Sequence, residues 1–173
     1  MSIFENKAVL IISGTGPFGR KFTEILLNEY NPKKITICSR RKLLQIEIRN
    51  YFQDSMIRFL IGDINGKDSV YRAMNNVDII VNAVVLKQVT ACEYNSIEAV
   101  KTNIDASLNM IVAAIDNSVE RAMAISTDKE VNPVNLYGAT TKMVTEDVFN
   151  RIIAPPLFPK MSGKEGKVVI AGG

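Results

Sequence analysis

Five consecutive aliphatic residues, Ala8-Val9-Leu10-Ile11-Ile12, run near the start of the chain without a polar interruption. Such a run suits a strand buried on both faces of a parallel sheet, because a strand with one wet face alternates apolar and polar positions. Phe22, Ile25, Leu26 and Tyr30 then fall at helical spacing, which predicts a helix over 18–30 that Asn31-Pro32 stops. A second strand is expected over 34–39 (Ile35-Thr36-Ile37-Cys38), followed by a helix over 43–52 with Leu43, Leu44, Ile46, Ile48, Tyr51 and Phe52 on its apolar side. A third strand follows at 57–61, a short helix near 67–74 and a fourth strand at 78–85. Residues 91–117 hold one or two helices with Val100, Ile104, Leu108, Ile111, Val112 and Ile115 inward. A fifth strand is expected at 121–126, and a helix at 137–153 with Val144, Val148, Ile152 and Ile153 inward. Strands alternating with helices at this spacing imply an α/β fold, a doubly wound parallel sheet with right-handed crossovers and helices on both faces.

The first strand runs into Gly14-Thr15-Gly16-Pro17-Phe18-Gly19, a G-x-G-x-x-G spacing placed between a strand and a helix. In that context Gly14 takes the tight turn, Gly16 lets the backbone approach a pyrophosphate, and Gly19 lets the helix sit close on the sheet. The amides at the helix start face the phosphates, where the helix dipole favours negative charge. Pro17 suits the first helical turn and withdraws one amide donor from the loop. This makes the fold Rossmann-like. The second strand ends in Ser39-Arg40-Arg41 with no acidic residue to hold a ribose 2′-hydroxyl, so NADP is favoured over NAD; the same arginines also suit a solvated helix start. Asp63, at the end of the third strand, either faces the adenine or caps the next helix.

Composition narrows the rest. The 173 residues, 47% hydrophobic and 23% charged, describe one globular domain rather than a disordered chain. A net charge of +3 without a Lys/Arg cluster interleaved with aromatics carries no nucleic-acid signature. The absence of histidine excludes His-based catalysis and metal binding. Cys38 and Cys92 lack metal spacing and read as reduced thiols, and no metal site is expected. With no signal-like segment and no apolar run long enough to span a bilayer, a soluble, cytoplasmic protein is expected.

Beyond the fifth strand come Ser126-Thr127-Asp128-Lys129, Asn132-Pro133 and Leu136-Tyr137-Gly138-Ala139-Thr140-Thr141-Lys142. Ligands of open α/β sheets sit beyond the carboxyl ends of the strands, so an acid, an amine and a phenol can converge there; spacing alone fits a solvated loop pair with a half-buried tyrosine equally well. Together with the glycine loop, these segments resemble the extended short-chain dehydrogenase/reductase superfamily. More narrowly, they resemble the UDP-N-acetylglucosamine 4,6-dehydratases of the CapD-like polysaccharide-biosynthesis group. Asn31-Pro32-Lys33-Lys34-Ile35, Ser39-Arg40, Ile61-Gly62-Asp63, Leu86-Lys87, Glu93-Tyr94-Asn95 and Lys101-Thr102-Asn103-Ile104 extend the similarity from about Phe4 to Phe149.

The resemblance implies a lyase that uses NADP without net consumption: hydride leaves sugar C4, water is eliminated across C5 and C6, and hydride returns at C6. It implies that Tyr137 takes the C4 hydroxyl proton, Thr127 hydrogen-bonds that oxygen, Lys129 is the base at C5 and Asp128 the acid at the C6 hydroxyl, with Lys142 as partner of the tyrosine. Asp128 then needs a raised pKa and Lys129 a lowered one. The cofactor is expected against Gly14, Thr15, Gly16, Phe18, Gly19, Ser39, Arg40, Asp63, Ile64, Ala83, Lys87, Asn103, Tyr137 and Lys142. The chain departs from the pattern in three ways. A doubled threonine moves the lysine from the fourth position after Tyr137 to the fifth, a rotation of about 100° in an ideal helix unless a π-bulge or late helix start restores it. Ala83-Val84-Val85 is bulkier than the small-residue run expected over the cofactor. Residues 1–153 are therefore expected to form the NAD(P)-binding domain, and 154–173 a divergent tail with one last strand at 167–170 in place of the C-terminal substrate lobe. Two alternatives stand beside the dehydratase: an inactive nucleotide-binding or interaction remnant, and an NAD-dependent sugar-nucleotide epimerase. Expected partners are a UDP-sugar and further copies of the chain, with no nucleic acid and no membrane span.

Overall fold

The computed structural model describes residues 2–83, 93–124, 136, 139 and 140. The described elements are β1 (Ala8–Ile12), α1 (Pro17–Glu29), β2 (Lys34–Ser39), α2 (Lys42–Phe52), β3 (Ile57–Ile61), α3 (Lys67–Met74), β4 (Ile79–Asn82), α4 (Ser96–Val100), a π-helical turn (Lys101–Asp105), α5 (Ala106–Asp116) and β5 (Arg121–Ala124). Apart from residues 139 and 140, which are helical, the helix expected at 137–153 lies outside the described residues, as do the ends of the fourth and fifth strands and the whole of 154–173.

The five strands form one parallel sheet in the order β3-β2-β1-β4-β5. The central β1 pairs Ile11 with Ile37 of β2 on one side and with Val81 of β4 on the other. Its five residues are all buried because successive side chains enter different cores. Val9 and Ile11 pack with Leu26 of α1 and Ile48 of α2, whereas Leu10 and Ile12 pack with Met74 of α3 and with Met110 and Ile111 of α5. The aliphatic run is thus the floor of two cores at once. At the opposite end from the strand termini, Lys7 and Glu120 pair at 2.8 Å, and the Asp78 carboxylate accepts the Ala8 amide at 2.7 Å, tying the starts of β1, β4 and β5 together. β4 accordingly begins at Ile79, since Asp78 turns its side chain to this clamp.

Two helices differ from the pattern expected of them. In α2 the buried residues are Gln45 and Ile48, while Leu43, Ile46 and Tyr51 point out, Leu43 at 76% exposure. The reason is polar: the Gln45 Nε2 donates to the carbonyls of Ser39 (3.0 Å) and Leu60 (2.8 Å), and this orients the helix. In α5 the inward residues are small, Ala106, Ser107, Ala113 and Ala114 with Met110 and Ile111. They let the helix approach α3 and the sheet closely, so Leu108, Val112 and Ile115 sit half-buried at its flanks and Val100 of α4 is exposed.

Candidate functional site

The glycine loop leaves the carboxyl end of β1 through a left-handed residue, but that residue is Ser13 (φ 59°) rather than Gly14, and no glycine among the described residues has positive φ. Ser13 holds the turn through its amide, which donates to the Cys38 carbonyl at 2.8 Å. Gly14 is required for space instead: a Cβ there would lie 2.8 Å from Ile11 Cγ2. Gly19 is more tightly constrained, since its Cβ would fall 2.3 Å from the Gly14 Cα and carbonyl oxygen. The first turn of α1 therefore rests directly on the backbone leaving β1. Gly16 is the N-cap of α1, with Pro17 in the first turn and no side chain capping the helix start. A Cβ on Gly16 would meet only the Ser13 carbonyl oxygen, at 3.8 Å, so the space above it is open toward the cleft. An uncapped helix N-terminus beneath open space fits a phosphate group. Phe18, partly exposed, stacks on Phe22 with ring centroids 5.6 Å apart, leaving the backbone of the turn uncovered by its ring.

The carboxyl ends of β1, β2 and β3 border a cleft of about 310 Å³, lined by Ser13, Thr15, Gly16, Ser39, Arg40 and Asn65 among others. Thr15 Oγ1 and Ser39 Oγ lie 3.0 Å apart and link the glycine loop to the end of β2. The Arg41 amide donates to Ser39 Oγ at 3.2 Å, which fixes the turn into α2. Arg40 extends into solvent, 3.6 Å from Asp63 Oδ2. The other Asp63 oxygen accepts the Asn65 amide at 3.0 Å, and Gly66 is the uncapped N-cap of α3, so Asp63 shapes its own loop and does not cap that helix. Ile64 is buried in the cleft wall, and the Ala83 amide donates to the Ile12 carbonyl at 3.0 Å where β4 ends. Cys38 also lines the cleft; burial, helped by the charge of Asp63, pushes its thiol up to about 11, which keeps it protonated and unreactive.

The opposite wall is supplied by the π-helical turn, whose Thr102 is buried and faces the cleft. Asn103, the next residue, is buried elsewhere: its Nδ2 donates to Thr140 Oγ1 at 2.9 Å, and Thr140 in turn donates to the Leu136 carbonyl at 2.8 Å. Asn103 thereby connects this turn to the segment flanking the expected tyrosine. π-helical turns are rare and concentrate at functional sites. Thus Thr15, Gly16, Ser39, Arg40 and Ile64 line one cleft, and Gly14 and Gly19 pack against each other in the turn that carries it, whereas Phe18, Asp63, Ala83 and Asn103 are not among its lining residues. Lys87, Thr127, Asp128, Lys129, Tyr137 and Lys142 lie outside the described residues. Leu44 and Asn65 line the cleft without a motif that marks them in the sequence, and Thr102 does so from the Lys101-Thr102-Asn103-Ile104 segment without having been expected at the cofactor.

Comparison with known proteins agrees with this architecture. A family model for a polysaccharide biosynthesis protein matches residues 9–154. The chain is 44% identical over 147 residues to a UDP-N-acetylglucosamine 4,6-dehydratase (inverting) of Campylobacter jejuni, covering 85% of this chain and 44% of that relative. It thus spans less than half the length of the curated relative. Among solved structures, Pen from Bacillus thuringiensis superposes with a TM-score of 0.85 at 36% identity, over 91% of this chain and 49% of that one. The UDP-glucose 4-epimerase from Bifidobacterium longum in complex with NAD+ and UDP shares the fold, with a TM-score of 0.74 at 18% identity over 86% of this chain and 50% of that one. Among the described residues, no helix is long and apolar enough to cross a membrane. With the doubly wound sheet, the glycine loop and the matched span in agreement, the chain belongs to the polysaccharide biosynthesis protein family.

Proposed function

We propose that the chain carries the NADP-binding fold of a UDP-sugar 4,6-dehydratase. The observation that carries this reading is the cleft itself: an open helix N-terminus at Gly16 lies at one side, and Ser39, Arg40 and Arg41 lie at the end of β2, where a carboxylate would select a free 2′-hydroxyl. Two cationic side chains and two linked hydroxyls there suit a 2′-phosphate. The similarity to the Campylobacter enzyme supports the choice of reaction.

When bound, the nicotinamide supplies hydride abstraction at sugar C4 and its return at C6. The protein's part is acid–base work. Tyr137 takes the C4 hydroxyl proton while Thr127 holds that oxygen; the resulting C4 ketone acidifies C5, where Lys129 removes the proton and gives it back once C6 is reduced. Asp128 gives a proton to the departing C6 hydroxyl, so elimination of water is charge-balanced. Lys142 is the lysine available to pair with Tyr137. In this reading the protein works in the cytoplasm, as a homo-oligomer, on a UDP-sugar.

The test is twofold. NADP should bind the purified protein, and incubation with UDP-N-acetylglucosamine and NADP should yield the 4-keto-6-deoxy sugar nucleotide, detected as loss of one water by mass spectrometry. Binding without product replaces the dehydratase with a nucleotide-binding role, the reading favoured by the five-residue spacing from Tyr137 to Lys142. Inversion at C4 without loss of water, with NAD as the better ligand, replaces it with an epimerase.

A further inference from the structure

Leu136, the residue that precedes Tyr137, is held at both of its backbone groups by side chains. Its amide donates to Glu93 Oε1 at 2.7 Å, and its carbonyl accepts the Thr140 hydroxyl at 2.8 Å. A threonine hydroxyl bonded to the carbonyl four residues before it is common in helices and by itself implies no role beyond the helix. Here the same Oγ1 also accepts Asn103 Nδ2 at 2.9 Å, and Thr140 and Asn103 are both buried, at 2% and 3% exposure. The hydroxyl is thus the middle link between the π-helical turn and the Leu136 carbonyl.

Glu93 stands ahead of α4, and Asn103 is the central residue of the π-helical turn that continues α4. One stretch of chain, 93–103, therefore supplies both anchors. Its Thr102 lines the nucleotide cleft, so consecutive residues of the turn serve the cleft and the anchor. Holding the amide and the carbonyl of one residue leaves its φ and ψ little freedom. Because the peptide group is planar, holding the Leu136 carbonyl also orients the bond into Tyr137. Proton transfer demands such precision: a misplacement of about 1 Å costs on the order of a hundredfold in rate.

We infer that Glu93 and Thr140 are positioning residues, which together clamp Leu136 and so fix Tyr137 relative to the cleft wall that Thr102 provides. This rests on the assignment of Tyr137 above as the group that takes the C4 hydroxyl proton. Neither side chain lines the cleft, and neither needs to touch substrate.

The experiment labels the full chain with 3-fluorotyrosine and follows its five tyrosines by fluorine NMR, with and without NADP; Tyr137→Phe assigns the Tyr137 line. Thr140→Val removes the hydroxyl at nearly constant volume. Glu93→Ala removes the carboxylate from an exposed position, so it tests the clamp even where the buried valine impairs folding. Each should shift or broaden the Tyr137 line and leave those of Tyr30, Tyr51 and Tyr71 in place, with NADP affinity within about twofold of wild type. Thr140→Ser keeps the hydroxyl and Glu93→Gln keeps an acceptor, so both should restore the wild-type line. A Tyr137 line unmoved in both Thr140→Val and Glu93→Ala overturns the clamp, as does displacement of all the lines together, the mark of a purely structural role. Turnover of UDP-N-acetylglucosamine, measured alongside, should fall in kcat at least about tenfold with KM within about threefold; a loss confined to KM overturns the positioning role. Absence of turnover in wild type refutes the dehydratase reading instead, and the fluorine lines, which need no turnover, still decide the clamp.

Discussion

Replacing Gly16 and Gly19 separately by alanine tests whether the glycine loop serves the cofactor, the fold or both. At Gly19 the added Cβ would sit 2.3 Å from the Gly14 Cα and oxygen and 2.5 Å from its carbonyl carbon, all backbone atoms that no side-chain rotation can move aside. Relief requires α1 to withdraw by about 1 Å from β1, and overpacking of this kind costs about 1–3 kcal/mol. With rigid atoms on both sides the upper figure applies, which for a chain of this size lowers Tm by about 6–12 °C. At Gly16 the nearest atom to an added Cβ is 3.8 Å away, and φ −78°, ψ 174° is a conformation that alanine adopts freely. Alanine is a poorer N-cap than glycine by up to about 1 kcal/mol. It also restricts the unfolded chain, a gain of about 0.4–1 kcal/mol that offsets the loss. Gly16→Ala should therefore leave Tm within about 2 °C of wild type while its methyl group occupies the space over the helix N-terminus, reducing NADP affinity at least about tenfold. Thermal melts and a binding titration on both variants read the two effects independently. Wild-type NADP affinity in Gly16→Ala would refute the placement of the pyrophosphate, and a wild-type Tm in Gly19→Ala would refute the rigid contact.

Arg40→Ala should weaken NADP at least about tenfold and leave NAD binding unchanged, because the guanidinium is exposed and, of the two ligands, only NADP offers it a 2′-phosphate; equal losses for both ligands would point to a structural role through its Asp63 pair. Gln45→Leu should destabilise the fold by about 1–3 kcal/mol in urea titrations, since it strips the Ser39 and Leu60 carbonyls of a buried donor although leucine suits the apolar pattern of α2. The Cys38 thiol, raised from 9.0 to about 11, binds its proton more tightly in the folded than in the unfolded chain, so its contribution is complete below pH 9 and is lost between pH 9 and 11. That loss amounts to about 3 kcal/mol, and Cys38→Ala should flatten the fall of stability across this window in denaturant titrations. At pH 8 the native thiol should resist alkylation that the unfolded chain undergoes readily.

Much of the architecture was legible because burial on two faces leaves a simple trace. Ala8–Ile12, Lys34–Ser39 and Ile57–Ile61 stand where the aliphatic runs predict them, and Pro17 and Asn31-Pro32 bound α1 as backbone chemistry requires. The helices were less legible. In α2, counting apolar residues favours the wrong face, because Gln45 turns inward to donate to the Ser39 and Leu60 carbonyls while Leu43, Ile46 and Tyr51 point out. In α5, the need for close approach to α3 favours alanine over the larger residues that dominate a hydrophobicity pattern.

For the site, the motif positions around Gly14, Gly16, Gly19, Ser39 and Arg40 were visible in the sequence because their chemistry depends on residue type at short spacing. The amino-acid sequence by itself determined the parallel α/β plan, the glycine-rich turn after β1 and the family. Tertiary structure alone decided that Ser13 rather than Gly14 carries the left-handed turn, that Asp63 spends its carboxylate on its own loop and on Arg40, and that Asn65 and Thr102 join the cleft. These outcomes depend on which groups lie within hydrogen-bond or contact distance once distant segments are packed together. Local periodicity contains no term for such distances.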